Sequence, residues 1–250
     1  MASQPIMQFY AELTDAHIPI WRRFQVMGNV RFSRLAYILM TMFEMQASHL
    51  FAFDIDMADN VRNRAGDELQ NERIAQMLEG WGEALLRIEL PIEDDYPAML
   101  FQEQQIRVID ASEEMVKHVF TTPGYEGSFE YDFGDGWDVR FTLEDVFEDS
   151  ELPGSELPRV IGGEGFGIIE DCGGVWGLEE IDKAFRKGKG ESYEEYREWL
   201  GVDKLDLRAF DIQDMNFRLK KVPRIYRDFY ELQLEPTQRS IDILTRRYKK

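Results

Sequence analysis

The sequence predicts an α+β protein, and three patterns carry this prediction. Residues 127–141, GSFEYDFGDGWDVRF, alternate apolar and polar side chains on both sides of a glycine-flanked aspartate, which is typical of a β-hairpin. Residues 33–46 place apolar side chains at the spacing of one buried helical stripe. Residues 223–230 begin with a proline suited to a first helical turn and carry aromatic side chains at helical spacing.

The register of the hairpin follows from its alternation, because a slip of one residue would set apolar side chains opposite polar ones. We expect Gly134, Asp135 and Gly136 to form a three-residue loop, with Phe133 facing Trp137 on the buried side. The further expected pairs are Tyr131 with Val139, Phe129 with Phe141, Glu130 with Arg140 and Asp132 with Asp138.

This register would bring three aspartates together, namely Asp132, Asp135 and Asp138. Like charges directly opposed across two strands are unfavourable unless a cation, an arginine or a proton relieves them. One interpretation is a catalytic acid site or a site for Mg²⁺ or Mn²⁺, which prefer carboxylate oxygens as ligands. The other is a solvated polar face whose aspartates cap the turn and need no cofactor.

The remaining elements are assigned from periodicity and from turn residues. Expected strands cover residues 7–13, 18–27, 48–55 and 84–90. Expected helices cover residues 33–46, 112–120, 178–188 and 192–200, with two more after Pro223 and Pro236. Ser33 is the expected N-cap of the first helix, and Ser192 with Glu195 has the spacing of a capping box. Residues 56–82 are polar and irregular, and residues 160–177 are rich in the glycines of tight turns.

The composition predicts a cytoplasmic protein with a substantial core. The 250 residues are 44% hydrophobic and 13% aromatic. The sequence contains no run of roughly 20 apolar residues for a membrane span, and the N-terminus lacks the features of a signal peptide. The single cysteine excludes an intramolecular disulfide, and with three scattered histidines it offers no spacing for a structural zinc site.

Two single residues invite catalytic interpretations. His49 precedes an apolar strand, and a lone histidine in such a place is expected to be structural rather than a general base. Cys172 lies between an aspartate and glycines, so that nearby charge would raise its thiol pKa. We therefore expect neither residue to act as a catalyst.

The charge distribution bears on partners. The net charge is -19, and residues 126–182 hold 17 acids against two arginines, whereas residues 215–250 hold ten lysines and arginines against four acids. Binding to duplex DNA requires cations that displace counterions from phosphates. We expect no direct DNA binding, a C-terminal segment docked on the acidic body, and an interaction with a protein partner as an open alternative.

Several strings of residues together carry a resemblance. They are residues 21–23 (WRR), 49–53 (HLFAF), 131–137 (YDFGDGW), 170–174 (EDCGG), 176–177 (WG), 199–201 (WLG) and 210–211 (FD). In this order, over about residues 5–220, the chain resembles the plasmid pRi open-reading-frame-three-like family, in which an insertion-element passenger name also recurs. The motif residues are Tyr131, Asp132, Phe133, Gly134, Asp135, Gly136, Trp137, Glu170, Asp171, Gly173 and Gly174.

The resemblance implies a fold but no catalytic mechanism. The expected fold is a mainly antiparallel, curved sheet packed by helices, in a domain of residues 1–220 with a helical extension of residues 221–250 docked on it. Family members often carry histidines where this chain has Ala36 and Val139, so histidine-dependent chemistry in the family would not transfer. They also often carry prolines where this chain has Ile168 and Ile169.

Two functional hypotheses follow. The first is a non-enzymatic interaction or accessory module, linked by the family's name to mobile elements, in which the conspicuous motif is mostly architecture. The alternative is a divalent-metal-dependent hydrolase, in which Asp132, Asp135 and Asp138, together with Glu170 and Asp171, hold Mg²⁺ or Mn²⁺ and activate water.

Overall fold

One open, eight-stranded sheet organises the molecule. The computed structural model describes residues 4–65, 85–91 and 106–247. The strands are β1 (Ile6–Leu13), β2 (Trp21–Met27), β3 (Phe51–Asp56), β4 (Leu85–Glu89), β5 (Ile106–Asp110), β6 (Glu126–Tyr131), β7 (Trp137–Phe147) and β8 (Arg159–Glu164). Their spatial order is β5-β4-β3-β6-β7-β1-β2-β8, and the neighbours pair antiparallel except for the parallel pair β4 and β5. The expected α+β class and mainly antiparallel sheet are confirmed.

Helices cover the sheet and extend beyond it. They are α1 (Phe32–Met42), α2 (Met57–Ala65), α3 (Val116–Val119), α4 (Gly174–Lys187), α5 (Glu191–Leu200), α6 (Ile212–Leu219), α7 (Val222–Tyr230) and α8 (Gln238–Leu244), with a 3₁₀ turn at Gly154–Glu156. The alternation and stripe patterns therefore placed most of these elements correctly, whereas β5, β8, α2 and α6 were not predicted, and α2 lies at the start of the segment that was expected to be irregular. The glycines of β8 suggested turns, and antiparallel pairing with β2 overrides that local preference.

Helix α1 lies at the centre of the fold. Ten of its 11 residues are buried, as expected for a helix that is apolar around almost its whole circumference. One side meets the sheet, where the rings of Phe32 and Phe53 are 5.1 Å apart. The other side meets α7, where the rings of Tyr37 and Tyr226 are 6.1 Å apart. Helix α1 thus connects the sheet with the C-terminal helices.

Two predicted helix caps are wrong. The N-cap of α1 is Arg31, and Ser33 lies inside the first turn because the chain enters the helix from an isolated bridge between Arg31 and Met115. The N-cap of α5 is Gly190, so Ser192 is a helical residue and no capping box forms. Tyr248, expected in the last helix, lies outside the described residues.

The register predicted for the central hairpin is wrong by two residues. Tyr131 pairs with Trp137 and Glu130 with Asp138, so the loop has the five residues 132–136. The predicted pair Phe133 with Trp137 is absent, because Phe133 lies in this loop and is 45% exposed. A slip of two preserves the alternation, which is why the pattern could not exclude it.

The side chain of Asp132 explains why the loop starts early. Its Oδ1 accepts hydrogen bonds from the backbone N–H groups of Gly134 (3.0 Å) and Asp135 (3.4 Å). Its backbone is left-handed, with φ of 54°, and its carbonyl accepts a bond from the Gly136 N–H. Aspartate commonly organises a turn in this way, which removes Asp132 and Phe133 from the strand.

A buried arginine fixes the chain that leads to the second motif. The guanidinium of Arg22 is fully buried and donates to the carbonyls of Met42 (3.0 Å), Glu164 (2.6 Å), Gly165 (2.8 Å) and Phe166 (2.8 Å). Burial lowers the pKa of Arg22 to about 9. These hydrogen bonds hold residues 164–166 against the end of α1. Residues 168–171 therefore lie beside the hairpin.

Candidate functional site

The two strings that the sequence singled out, at residues 131–137 and 170–174, meet in space. The Asp135 carboxylate accepts a hydrogen bond from the Gly173 N–H (3.2 Å). At Gly174, with φ of 70°, a Cβ atom would lie 2.5 Å from the Asp135 carbonyl oxygen. The close approach therefore requires glycine there, and the hairpin loop and the 170–174 turn form one surface.

A third segment, residues 44–50 after α1, completes the site. Glu170 Oε1 accepts hydrogen bonds from the Gln46 N–H (2.6 Å) and the Tyr131 hydroxyl (2.8 Å). The same hydroxyl accepts a bond from the Ser48 N–H (3.1 Å). The Asp132 N–H donates to the carbonyl of Leu50 (3.1 Å). These bonds fix the position of both acids against the segment that carries His49.

His49 lies between carboxylates. Its Nε2 is 3.6 Å from Asp132 Oδ2, 3.6 Å from Glu170 Oε2 and 3.6 Å from Asp171 Oδ1. Ligand atoms of His49, Asp132 and Glu170 all lie within 4.8 Å of one another. Two ligand atoms held at about 2.1 Å from a tetrahedral ion are about 3.4 Å apart, and the two distances of 3.6 Å from His49 Nε2 to Asp132 and Glu170 are close to this value.

Glu170 has a buried oxygen without a hydrogen-bond donor. Its side chain is 6% exposed, and Oε2 has no hydrogen-bond partner among the residues that the structure describes. Burial raises the pKa of Glu170 above its ordinary value, although the bonds from Gln46 and Tyr131 act in the opposite direction. An unpaired buried carboxylate oxygen is costly unless a proton or a cation occupies the space beside it.

Several residues other than glycine around the site have a left-handed backbone conformation. Seven described residues other than glycine have positive φ, and four of them border the site: Glu44 (63°), Ala47 (60°), Asp132 (54°) and Asp171 (57°). Left-handed conformations of such residues persist only where the surroundings determine them, and they concentrate at functional sites.

The structure does not bring Asp132, Asp135 and Asp138 together as expected. Asp138 lies opposite Glu130 and accepts a hydrogen bond from the Thr14 hydroxyl (3.0 Å), and burial raises its pKa. Asp135 bonds to the Gly173 N–H instead. Within the described ranges, the group of three possible ligands contains only Asp132 from the predicted cluster.

The other motif residues have mainly structural positions. Tyr131 and Trp137 are fully buried in the core. Phe133 stacks near the Arg87 guanidinium, 5.3 Å from the ring centre. Burial raises the pKa of Cys172 to about 12, with Asp135 adding to the shift, and this agrees with the expected direction of its thiol pKa.

His49 is the site residue that sequence reasoning missed. It was expected to be structural because no second histidine or cysteine stands near it in the chain. Its partners come from residues 132 and 170–171, and only the pairing of β3 with β6 and the docking of the 170–174 turn bring them close. The available signal was the position of His49 in the HLFAF string, two residues before the start of β3, which pairs with the hairpin strand β6.

The profile of a known family extends over most of this chain. It is described as "Plasmid pRiA4b ORF-3-like protein" and matches residues 5–217. The chain belongs to this family. The resemblance inferred from the sequence strings is thereby confirmed, and the strings that meet at the site lie within the matched residues.

Two relatives of the plasmid pRiA4b ORF-3-like chain are informative. "Uncharacterized protein y4hQ" of Sinorhizobium fredii (strain NBRC 101917 / NGR234) is 34% identical over 86 residues, which is 34% of this chain and 43% of that protein. The crystal structure of a protein of unknown function, MM3350 from Methanosarcina mazei Go1, matches with a TM-score of 0.63 at 22% identity, covering 85% of this chain and 98% of that one. The second likeness shows a shared fold. Among the described helices, none has the length and apolar character needed to cross a membrane.

Proposed function

We propose that this protein binds a divalent metal ion through His49, Asp132 and Glu170, and that it acts as a metal-dependent hydrolase. The observation that carries the proposal is the buried Oε2 of Glu170, which has no hydrogen-bond partner within the described residues and lies 3.6 Å from His49 Nε2. The proposal keeps the hydrolase alternative raised by the sequence but replaces two of the three expected aspartate ligands.

The ligand types favour particular ions. Imidazole nitrogen suits Zn²⁺ and other transition metals, whereas Mg²⁺ and Ca²⁺ prefer sites made of oxygen atoms alone. One histidine with two carboxylates therefore favours Zn²⁺ or Mn²⁺. The net charge of the ligand set, with neutral His49 and both acids ionised, would balance a divalent cation.

Three protein ligands leave room in the coordination shell. Catalytic metal sites commonly use three side chains and leave a position for water, whose pKa the ion lowers. Asp171 is mostly exposed, with a side chain 74% accessible, and its Oδ1 lies near His49. In the proposed site this exposed carboxylate would accept a proton from the activated water.

Thermal melting with matched variants tests the proposal. We expect Zn²⁺ or Mn²⁺ to raise the Tm of the wild type, because a ligand that binds only the folded state stabilises it. Asp132→Asn should lose this shift, and Asp138→Asn should keep it. Equal behaviour of the two variants, or no metal-dependent shift in the wild type, would exclude the proposed ligand set.

Protonated His49 offers a metal-free explanation of the same geometry, because an imidazolium would also offset the three neighbouring carboxylates. His49→Gln separates the two explanations. If the site binds metal, the variant loses the metal-dependent Tm shift at pH 8, where free imidazole is neutral. If His49 acts only as a cation, the variant responds to metal as the wild type does.

A second candidate function is the interaction module favoured from the sequence. The observation that supports it is Trp176, on the first turn of α4, whose indole is 77% exposed next to the 170–174 turn. Exposed tryptophan is enriched where proteins bind one another. A photo-crosslinker at position 176 should capture one partner protein in cells. When the two purified proteins are mixed, Trp176→Ser should lower their binding affinity at least tenfold. Unchanged affinity would remove this candidate.

We also propose that direct DNA binding is absent. The net charge is -19, and cations of the C-terminal segment already pair with acids: Lys220 with Glu156, and Arg246 with Glu44. Ion pairs of this kind leave fewer of the described cations to replace the counterions of phosphates. Retardation of a duplex in a gel at about 150 mM salt would contradict this.

A further inference from the structure

The segment of residues 43–46 links the end of α1 to the proposed metal ligands. The carbonyl of Phe43 accepts a hydrogen bond from the Ile168 N–H (2.9 Å), two residues before Glu170. The Gln46 N–H donates directly to Glu170 Oε1 (2.6 Å). The position of this segment therefore helps to fix where the Glu170 carboxylate lies.

Side chains from the three C-terminal helices, or just after them, bind the same segment. The Tyr226 hydroxyl of α7 donates to the Met45 carbonyl (2.8 Å). The Arg218 guanidinium of α6 donates to both oxygens of the Glu44 carboxylate (2.9 and 2.8 Å). Arg246, which follows α8, donates to the same two oxygens (2.8 and 2.6 Å). Hydrogen bonds between charged groups are stronger than neutral ones, so the two arginines hold Glu44 firmly.

The conformation of Glu44 depends on these partners. Its backbone is left-handed, with φ of 63°, and its side chain is 7% exposed. A left-handed residue other than glycine persists only where its surroundings determine it, and a buried carboxylate is costly once a partner is removed. Loss of one arginine should therefore let Glu44 turn toward solvent and move the segment with it.

Of the three helices, α8 has the fewest buried residues. All seven of its residues are described and only Ile243 is buried, whereas α6 and α7 each bury three. The preceding residues 231–237 are exposed, apart from the half-buried Pro236. A helix of this length is not stable by itself in water. Within the described residues, its docking therefore depends mainly on Ile243 and on the ion pairs of Arg246.

We infer that Arg246 is a positioning residue of the metal site and that α8 acts as a latch, so that docking of α8 and binding of the metal stabilise one another. The inference rests on the proposed function, because the latch acts on the proposed ligand Glu170. When α8 detaches, Glu44 loses one of its two arginines, and the Gln46 N–H is no longer held against Glu170. Coupling between two sites is reciprocal, so a bound ion should in turn keep α8 docked.

Calorimetric titration of the full-length protein with Zn²⁺ or Mn²⁺ tests the effect of the latch on the metal. Coupled sites typically change each other's affinity by about 5–150-fold, and Arg246→Gln should weaken metal binding about fivefold or more. Removal of a positive charge would by itself tighten the binding of a cation, so the expected change has the opposite sign to a purely electrostatic effect.

Two control variants accompany this titration. Arg247→Gln removes the same charge from the neighbouring exposed arginine and should not weaken metal binding. Leu152→Ala changes a separate apolar cluster that also contains Ile6 and Leu157, so it should lower the Tm and leave the affinity unchanged. Equal weakening by Leu152→Ala and Arg246→Gln would overturn the inference, because general loss of stability would then explain the effect.

Hydrogen exchange of the same proteins tests the effect of the metal on the latch. Saturating metal should slow amide exchange of residues 238–247 about fivefold or more in the wild type, and should have little effect there in Arg246→Gln. Without metal, the Gln46 amide should exchange faster in Arg246→Gln than in the wild type.

The outcomes separate the two claims. Metal affinity of Arg246→Gln that equals or exceeds that of the wild type overturns the inference and leaves the metal ligands standing. Exchange of residues 238–247 that does not respond to bound metal has the same consequence. Failure of the wild type to bind either ion overturns the proposed function, and the inference with it.

Discussion

Replacement of Glu170 by glutamine should change stability in opposite directions with and without metal. The substitution keeps the shape of the side chain and an Oε1 that can accept the bonds from Gln46 (2.6 Å) and Tyr131 (2.8 Å). It removes the negative charge whose second oxygen is buried without a hydrogen-bond partner among the described residues. It also removes one of the three proposed metal ligands.

The sign of the pH dependence follows from the raised pKa of Glu170. Between the ordinary glutamate pKa and this raised value, the folded protein holds a proton that the unfolded chain has released, so stability falls as pH rises through that window. Above the window the wild type carries the full cost of the buried charge. Glu170→Gln avoids this cost and should be more stable there by about 1–3 kcal/mol without metal.

Saturating metal should reverse the order. At a free concentration 100 times Kd, a bound ion stabilises the folded state by about 2.7 kcal/mol, and Glu170→Gln should lose most of this. Urea denaturation at pH 5 and pH 8, in EDTA and then in Zn²⁺ or Mn²⁺, measures both effects. Glu148→Gln, which changes an exposed glutamate, serves as the control and should remain within about 0.5 kcal/mol of the wild type. A Glu170→Gln variant less stable than wild type in EDTA at pH 8, or equally stabilised by metal, would refute the reasoning.

Three further predictions concern the supports of the site. Tyr131→Phe removes a hydroxyl that bonds to Glu170, so it should lower the free energy of unfolding by about 1–3 kcal/mol. Because this bond lowers the Glu170 pKa, the variant should also move the pH midpoint of metal binding upward. An unchanged midpoint in a calorimetric pH series would contradict this. Arg22→Lys leaves several buried carbonyls unpaired and should cost about 3 kcal/mol in urea denaturation, and a loss under 1 kcal/mol would show that lysine or water replaces the guanidinium. Ending the chain before residue 222 uncovers the core contacted by Tyr226, whose hydroxyl bonds to Met45, and should lower the Tm and increase binding of a hydrophobic dye; an unchanged melt would indicate an independent tail.

Local patterns predicted much of the fold. The apolar stripe of α1 and the alternation of β1 and β6 indicate which side chains are buried. These patterns could be recognised in the sequence because the helix and the strands bury their apolar side chains in the same core. The hairpin register was missed because a slip of two residues preserves the alternation, and the hydrogen bonds of Asp132 within the loop decide between the two registers. Local turn chemistry therefore outweighed strand pairing at this position.

The candidate site was only partly predictable. Asp132, Glu170 and Asp171 stood out because they belong to strings that resemble a family, but their grouping with His49 depends on contacts between residues separated by about 80 to 120 positions in the chain. Periodicity carries no information about such contacts. The aspartate cluster expected from the hairpin failed for a different reason, because the register error placed Asp138 beside the wrong neighbours.

Anomalous diffraction from crystals soaked in Zn²⁺ or Mn²⁺ tests the central claim most directly. We predict one ion between His49 Nε2, Asp132 and Glu170 Oε2, with bonds of about 2.0–2.2 Å. An anomalous peak at Asp138, or a site without a peak in crystals whose soaking solution contains millimolar metal, would contradict the account.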